Sequence, residues 1–129
     1  MLPLAYVLAG LAALVHVYIF RLESLAWTDV RTRAVFGTTA ETAETTRPLA
    51  YNQGFYNLFL ALVTVIGIVG SATESEDVGA ALMYAGCGSM VAAALVLATS
   101  DRSKLRPALI QGVAPALAVI TLLLAGTGE

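Results

Sequence analysis

His16 and Glu23 stand seven residues apart, a spacing that puts both on one face of a helix, and Trp27 extends the same stripe. Further along, Asn52 and Gln53 are followed by Tyr56 and Asn57, and Gln111 stands late in the chain. A histidine titrates near neutrality and can give or take a proton, while carboxamides and a phenol can polarise a carbonyl or hydroxyl. The chemistry these residues could do is acid–base work by His16 and Glu23 on a ligand held by Trp27, Asn52, Gln53, Tyr56, Asn57 and Gln111. Other chemistries lack parts. One His, one Cys and no carboxylate pair on a spanning face leave too few ligands for a protein metal site. No Ser, His and Asp set shares a depth, and no glycine-rich loop follows a strand, so hydrolase and nucleotide-binding readings fall away and no cofactor is expected.

The elements that must position these residues are apolar. Hydrophobic residues make up 58% of the 129 and charged ones 12%; with a mean hydropathy of +0.80, the chain lies outside the balance of soluble domains. All seven Lys and Arg residues fall in two gaps between four long apolar runs, while the middle gap carries Glu74, Glu76 and Asp77 and no basic residue. Short basic loops stay inside. Arg21, Arg31, Arg33 and Arg47 therefore place the first loop in the cytoplasm, Arg102, Lys104 and Arg106 place the third there, and both chain ends lie outside. The expected fold is all-α: an integral membrane four-helix bundle forming a single domain over residues 1–129. A net charge of -2 leaves no basic stripe for nucleic acid once topology has used the basic residues. Membrane lipid is the expected partner.

The first span runs from about Leu2 to Phe20 and continues past Arg21, with Trp27 as an interfacial anchor. No basic stretch precedes it, which argues against a cleavable signal peptide. Between Thr28 and Arg47, Val30, Ala34, Val35 and Phe36 recur at helical spacing, so a short cytoplasmic surface helix is expected, capped by Thr28 and ended by Gly37. Thr38 and Glu41 form a capping-box pattern for the second long helix, which enters the bilayer near Pro48 and ends around Gly70. The third span covers about Val78 to Thr99 and the fourth about Pro107 to Ala125, with Pro115 bending the last helix. Small residues from Gly79 to Ala94 make the third helix the expected centre of packing, Cys87 included. Those Gly and Ala faces also suit contacts in a homo-oligomer. Gln53-Gly54 after Pro48 and Gln111-Gly112 after Pro107 are a faint internal repeat, as two related helical hairpins would produce.

Counting about 1.5 Å per residue from the bordering arginines puts His16, Asn52, Gln53 and Gln111 at one level roughly 7 to 9 Å into the inner leaflet. Asn57 then falls about 15 Å in, close to the bilayer middle, and Glu23 at the cytoplasmic mouth. Polar groups at that depth turn away from lipid and satisfy one another or a ligand. The expected site is a polar notch open to the inner side, lined by His16 and walled by Tyr51, Phe55 and Phe59. It would bind a small or lipid-like hydrophobic molecule. Two other classes stay open: a small proton-coupled transporter relaying protons through Glu23 and His16, and an assembly subunit whose polar layer only locks helices together.

The string from His16 through Glu23 to Trp27, then Val35, Phe36 and Gly37, then Asn52, Gln53, Gly54, Phe55, Tyr56 and Asn57, with Gln111 and Gly112 later, resembles the domain-of-unknown-function 1304 family. The resemblance covers nearly the whole chain and is most specific from Asn52 to Asn57. It implies a small bacterial four-helix protein of the plasma (inner) membrane, and it brings no reaction, substrate or cofactor with it.

Overall fold

Lipid offers backbone amides no hydrogen bonds, so apolar stretches of about 20 residues or more close their own bonds as helices. The computed structural model, which describes residues 1–126, contains four such helices. The stretches Leu2–Leu25, Ala40–Ser71, Glu76–Ser100 and Arg102–Gly126 are each long and apolar enough to cross a membrane. No strand occurs among the described residues. Only 28–33% of each span is buried inside the bundle, and its outward faces carry side chains such as Leu14, Leu62 and Val96. In water that surface would aggregate; against lipid tails it matches the solvent.

Helix α1 (Leu2–Phe20) runs on into one π-helical turn, Arg21–Leu25. A short helix α2 (Val30–Phe36) leads to the long α3 (Ala40–Ser71), followed by α4 (Glu76–Ser100) and, after a 3-10 turn at Arg102–Lys104, by α5 (Leu105–Gly126). The long helices form a ring in which α1 and α4 each pack against both α3 and α5, while α1 and α4 face one another diagonally. The third span is thus one side of a square and not its centre. Ala5, Ala9 and Ala12 of α1, Met83, Cys87 and Met90 of α4, and Ala118 and Leu122 of α5 make the core. Cys87 is fully buried there, in the packing role its glycine neighbours suggested.

The connections differ from expectation by a residue or so. Asp29 and not Thr28 precedes α2 as its N-cap residue, while Gly37 ends that helix with a φ of 64°, a left-handed conformation that glycine adopts without strain. Thr39 and not Thr38 caps α3, its hydroxyl accepting from the Thr42 amide at 3.1 Å. One residue further along, the capping position is simply better placed to satisfy an orphan amide, and Glu41 takes no part. At the other basic loop Asp101 caps the 3-10 turn, and hydrogen bonds from the Ser103 hydroxyl and amide hold its carboxyl below the usual carboxylate range.

Two helices meet at glycine and then part. Along α3 the stripe Leu49, Gln53, Tyr56, Leu60, Thr64, Gly67, Ser71 keeps helical spacing, and along α4 so does Gly79, Met83, Gly86, Met90, Ala93, Leu97. At one end the stripes touch backbone to backbone: a Cβ on Gly79 would lie 1.9 Å from the Ser71 amide nitrogen, and one on Gly67 would lie 2.7 Å from the Met83 amide nitrogen. Leu49 and Tyr56, at the opposite end of the same stripe, are 72% and 62% exposed. The pair is a wedge, closed near the α3–α4 turn and open toward the two basic loops.

Candidate functional site

The wedge encloses a cleft of about 530 Å³ to which all four long helices contribute. Leu49, Gln53, Tyr56 and Ala93 form its exposed rim, so its mouth lies between α3 and α4. Glu23, Ala50 and Asn57 are buried at its floor, Ile19, Leu60 and Leu97 supply apolar wall, and Gln111 reaches in from α5. Trp27, Phe36 and Lys104 close the end nearest the basic loops.

Local sequence explains how the floor is made. Gly54 lets α3 approach the π-helical turn so closely that a Cβ there would fall 2.0 Å from the Ser24 hydroxyl oxygen. Ser24 in turn donates to the Tyr51 carbonyl at 2.8 Å. The wider π turn, with its i to i+5 bonding, buries both Leu22 and Glu23 at this contact. Glu23 Oε1 accepts a hydrogen bond from Asn57 Nδ2 at 2.5 Å, and the residues are 9% and 6% exposed. Trp27 is fixed beside them: its indole N–H donates to the Thr46 hydroxyl at 3.1 Å, and its ring lies 5.1 Å from that of Phe36. Lys104 donates to the Phe36 carbonyl, tying the third loop to the end of α2.

Of the residues picked out for chemistry, the cleft brings together Glu23, Trp27, Gln53, Tyr56, Asn57 and Gln111. His16 and Asn52 stand elsewhere. His16 is 1% exposed, is absent from the cleft lining, and gives its Nδ1 hydrogen to the Ala12 carbonyl at 2.8 Å, a bond to its own helix. Asn52 lies one residue round α3 from Gln53, about 100° away, and faces a second hollow of about 450 Å³ with Arg47 and Tyr51. Tyr51, Phe55 and Phe59, expected as walls, form a separate ladder of rings with Phe20.

The heights of Glu23 and His16 have one cause. The Glu23–Asn57 bond makes those residues level, so Arg47, ten residues from Asn57, lies about 15 Å nearer the loop end than the pair, whereas Arg21 lies slightly beyond it on the other side. The two arginines therefore do not mark one border, because long guanidinium side chains reach for water from different depths. Glu23 consequently meets Asn57 instead of standing apart at the mouth, and His16 lies about 10 Å further into the bundle than the pair. Thr42, Thr46 and Lys104 also line the cleft, beyond the residues expected there. Thr42, Thr46 and Gln53 stand four and seven residues apart, a polar stripe that could have revealed the first two.

The sequence profile of a family described as "Protein of unknown function (DUF1304)" matches residues 10–123. The chain belongs to that family. The DUF1304 match takes in every cleft residue, from Ile19 to Gln111. No curated protein and no solved structure matches the chain significantly. Within the DUF1304 region the two Gln-Gly pairs occupy equivalent places: Gln53 and Gln111 line the cleft, while Gly54 and Gly112 lie where their helices press closest to Ser24 and Ala94. That equivalence fits the two-hairpin reading of the faint repeat.

Proposed function

We propose that this membrane protein binds an amphiphilic molecule in the cleft, its polar end among Glu23, Gln53, Asn57 and Gln111 and its apolar part passing out between α3 and α4. One observation carries the reading: the Gln53 and Gln111 side chains face the cleft and make no hydrogen bond to any described residue. A polar layer serving only to lock helices would spend its donors and acceptors across helix contacts, as Glu23 and Asn57 do. Carboxamides kept ready beside an apolar wall suit a ligand. The volume also fits, since small-molecule sites run from about 300 to 1,000 Å³ and a whole phospholipid would have to leave its chains outside. The buried core of Met83, Cys87 and Met90 fills the bundle beyond the cleft, which favours binding over passage. His16, turned to its own backbone, is given no part in chemistry on the ligand.

The test is native mass spectrometry of full-length protein released gently from its own membranes. The wild type should carry a non-protein mass that Gln53→Leu/Gln111→Leu loses, and once the bound molecule is stripped the two proteins should melt at the same temperature, because those side chains hold nothing together. A bare wild type, or a double variant that keeps the adduct, would overturn the proposal.

We also propose that the cleft end faces the cytoplasm and opens to the inner leaflet of a bacterial plasma membrane, since both basic loops lie at that end. In a Cys87→Ala background, a cysteine at Ser103 should be shielded from an impermeant thiol reagent in intact cells and one at Ser75 labelled. The reverse pattern would place the cleft in the other leaflet.

A further inference from the structure

We propose that the polar end of the ligand is an ammonium group, seated between the Glu23 carboxylate and the rings of Trp27, Phe36 and Tyr56. This rests on the binding role given to the cleft and names its ligand class. A carboxylate in the low-dielectric interior of a membrane bundle stays charged best beside a positive partner, and Glu23 has none among the described residues. The one basic residue among the described residues that line the cleft, Lys104, is instead bound to the Phe36 carbonyl. Asn57 satisfies only Oε1. No buried side-chain oxygen among the described residues lacks a hydrogen-bond partner, so Oε2, which has none among those residues, is accessible, and the space Glu23 borders is the cleft.

The walls have the matching chemistry. Trp27 and Phe36 stand 5.1 Å apart with their planes 53° from parallel, and Tyr56 borders the same space from α3. Aromatic faces around a carboxylate attract alkylammonium groups through the ring quadrupoles, and they do so best out of water. A neutral alcohol or an anion would gain nothing from the rings and would leave Glu23 unpaired. The ammonium could belong to the headgroup of an ethanolamine phospholipid in the surrounding leaflet or to a soluble long-chain amine.

Trp27 is the chain's single tryptophan and borders the site, so its fluorescence reports binding directly. Full-length protein in a maltoside detergent is titrated with decyltrimethylammonium, with decanol and with decyl sulfate. The cation should give a saturable change, and the two others should bind at least about tenfold more weakly. Glu23→Gln, which keeps an oxygen for Asn57, should weaken the cation by about tenfold or more, and Phe36→Leu should weaken the cation more than decanol. Equal affinity for cation and decanol, or an unchanged cation affinity in Glu23→Gln, overturns the ammonium assignment while leaving an amphiphile site standing. Binding of none of the three overturns both. Nanodiscs of phosphatidylethanolamine that compete with the cation, where phosphatidylglycerol does not, identify the source as lipid; competition by neither identifies a soluble amine.

Discussion

Gly79→Val is expected to force α4 away from α3 and to destabilise the bundle by about 3 kcal/mol, the upper part of the range for overpacking. The reason is the neighbour and not the crowding alone. A Cβ on Gly79 would meet the Ser71 nitrogen at 1.9 Å and the Gly70 carbonyl carbon at 2.5 Å, and backbone atoms cannot swing aside as a flexible side chain does. Helices in lipid gain little from hydrophobic burial against one another, so close backbone approach supplies much of their association. Gly88, on the same helix, has no neighbour among the described residues within 4 Å of its would-be Cβ, and Gly88→Ala should melt like the wild type. Thermal unfolding in detergent followed by circular dichroism decides the matter. A Gly79→Val protein as stable as the Gly88→Ala control would mean that α3 and α4 do not close at this end, and the wedge that makes the cleft would go with them.

Asn57→Leu should be the second costly change. It takes the amide from Glu23 Oε1 and leaves a buried acceptor unmet, a penalty of about 1–3 kcal/mol for a neutral acid and more for a carboxylate. Removing both partners should cost less than removing one, because no orphaned polar group remains: Glu23→Leu/Asn57→Leu is expected to melt above Asn57→Leu. Glu23→Gln, whose amide oxygen can still accept from Asn57, should melt close to the wild type. If Asn57→Leu and the double variant lose the same stability, the two side chains are not coupled, and the floor of the cleft is built some other way.

The four helices were legible because their signal is local. Runs of about 20 apolar residues between charged gaps suffice for spans whatever their neighbours do, and Gly37 ends α2 through its own backbone freedom. The capping residues, Asp29 and Thr39, lie one position beyond Thr28 and Thr38, since several adjacent residues could cap and only the final path of the chain selects one.

The candidate site was legible by face and not by height. Helical spacing alone groups Gln53, Tyr56 and Asn57 on one side of α3 and would equally have warned that Asn52 points elsewhere. Height along a bundle depends on how far each helix slides past the next, and arginines that reach for water from unequal depths are a poor ruler for it. That slide is decided by contacts between residues distant in sequence: Gly54 against Ser24, Glu23 against Asn57, Trp27 against Thr46. Those contacts set Glu23 beside Asn57, left His16 deeper in the bundle with its own carbonyl, and opened α3 from α4 below the glycines that join them. The helices and their polar faces follow from the order of residues alone, because hydropathy and periodicity are properties of each segment. Which polar faces share a cavity was decided only in the tertiary structure, where packing between segments fixes their offset.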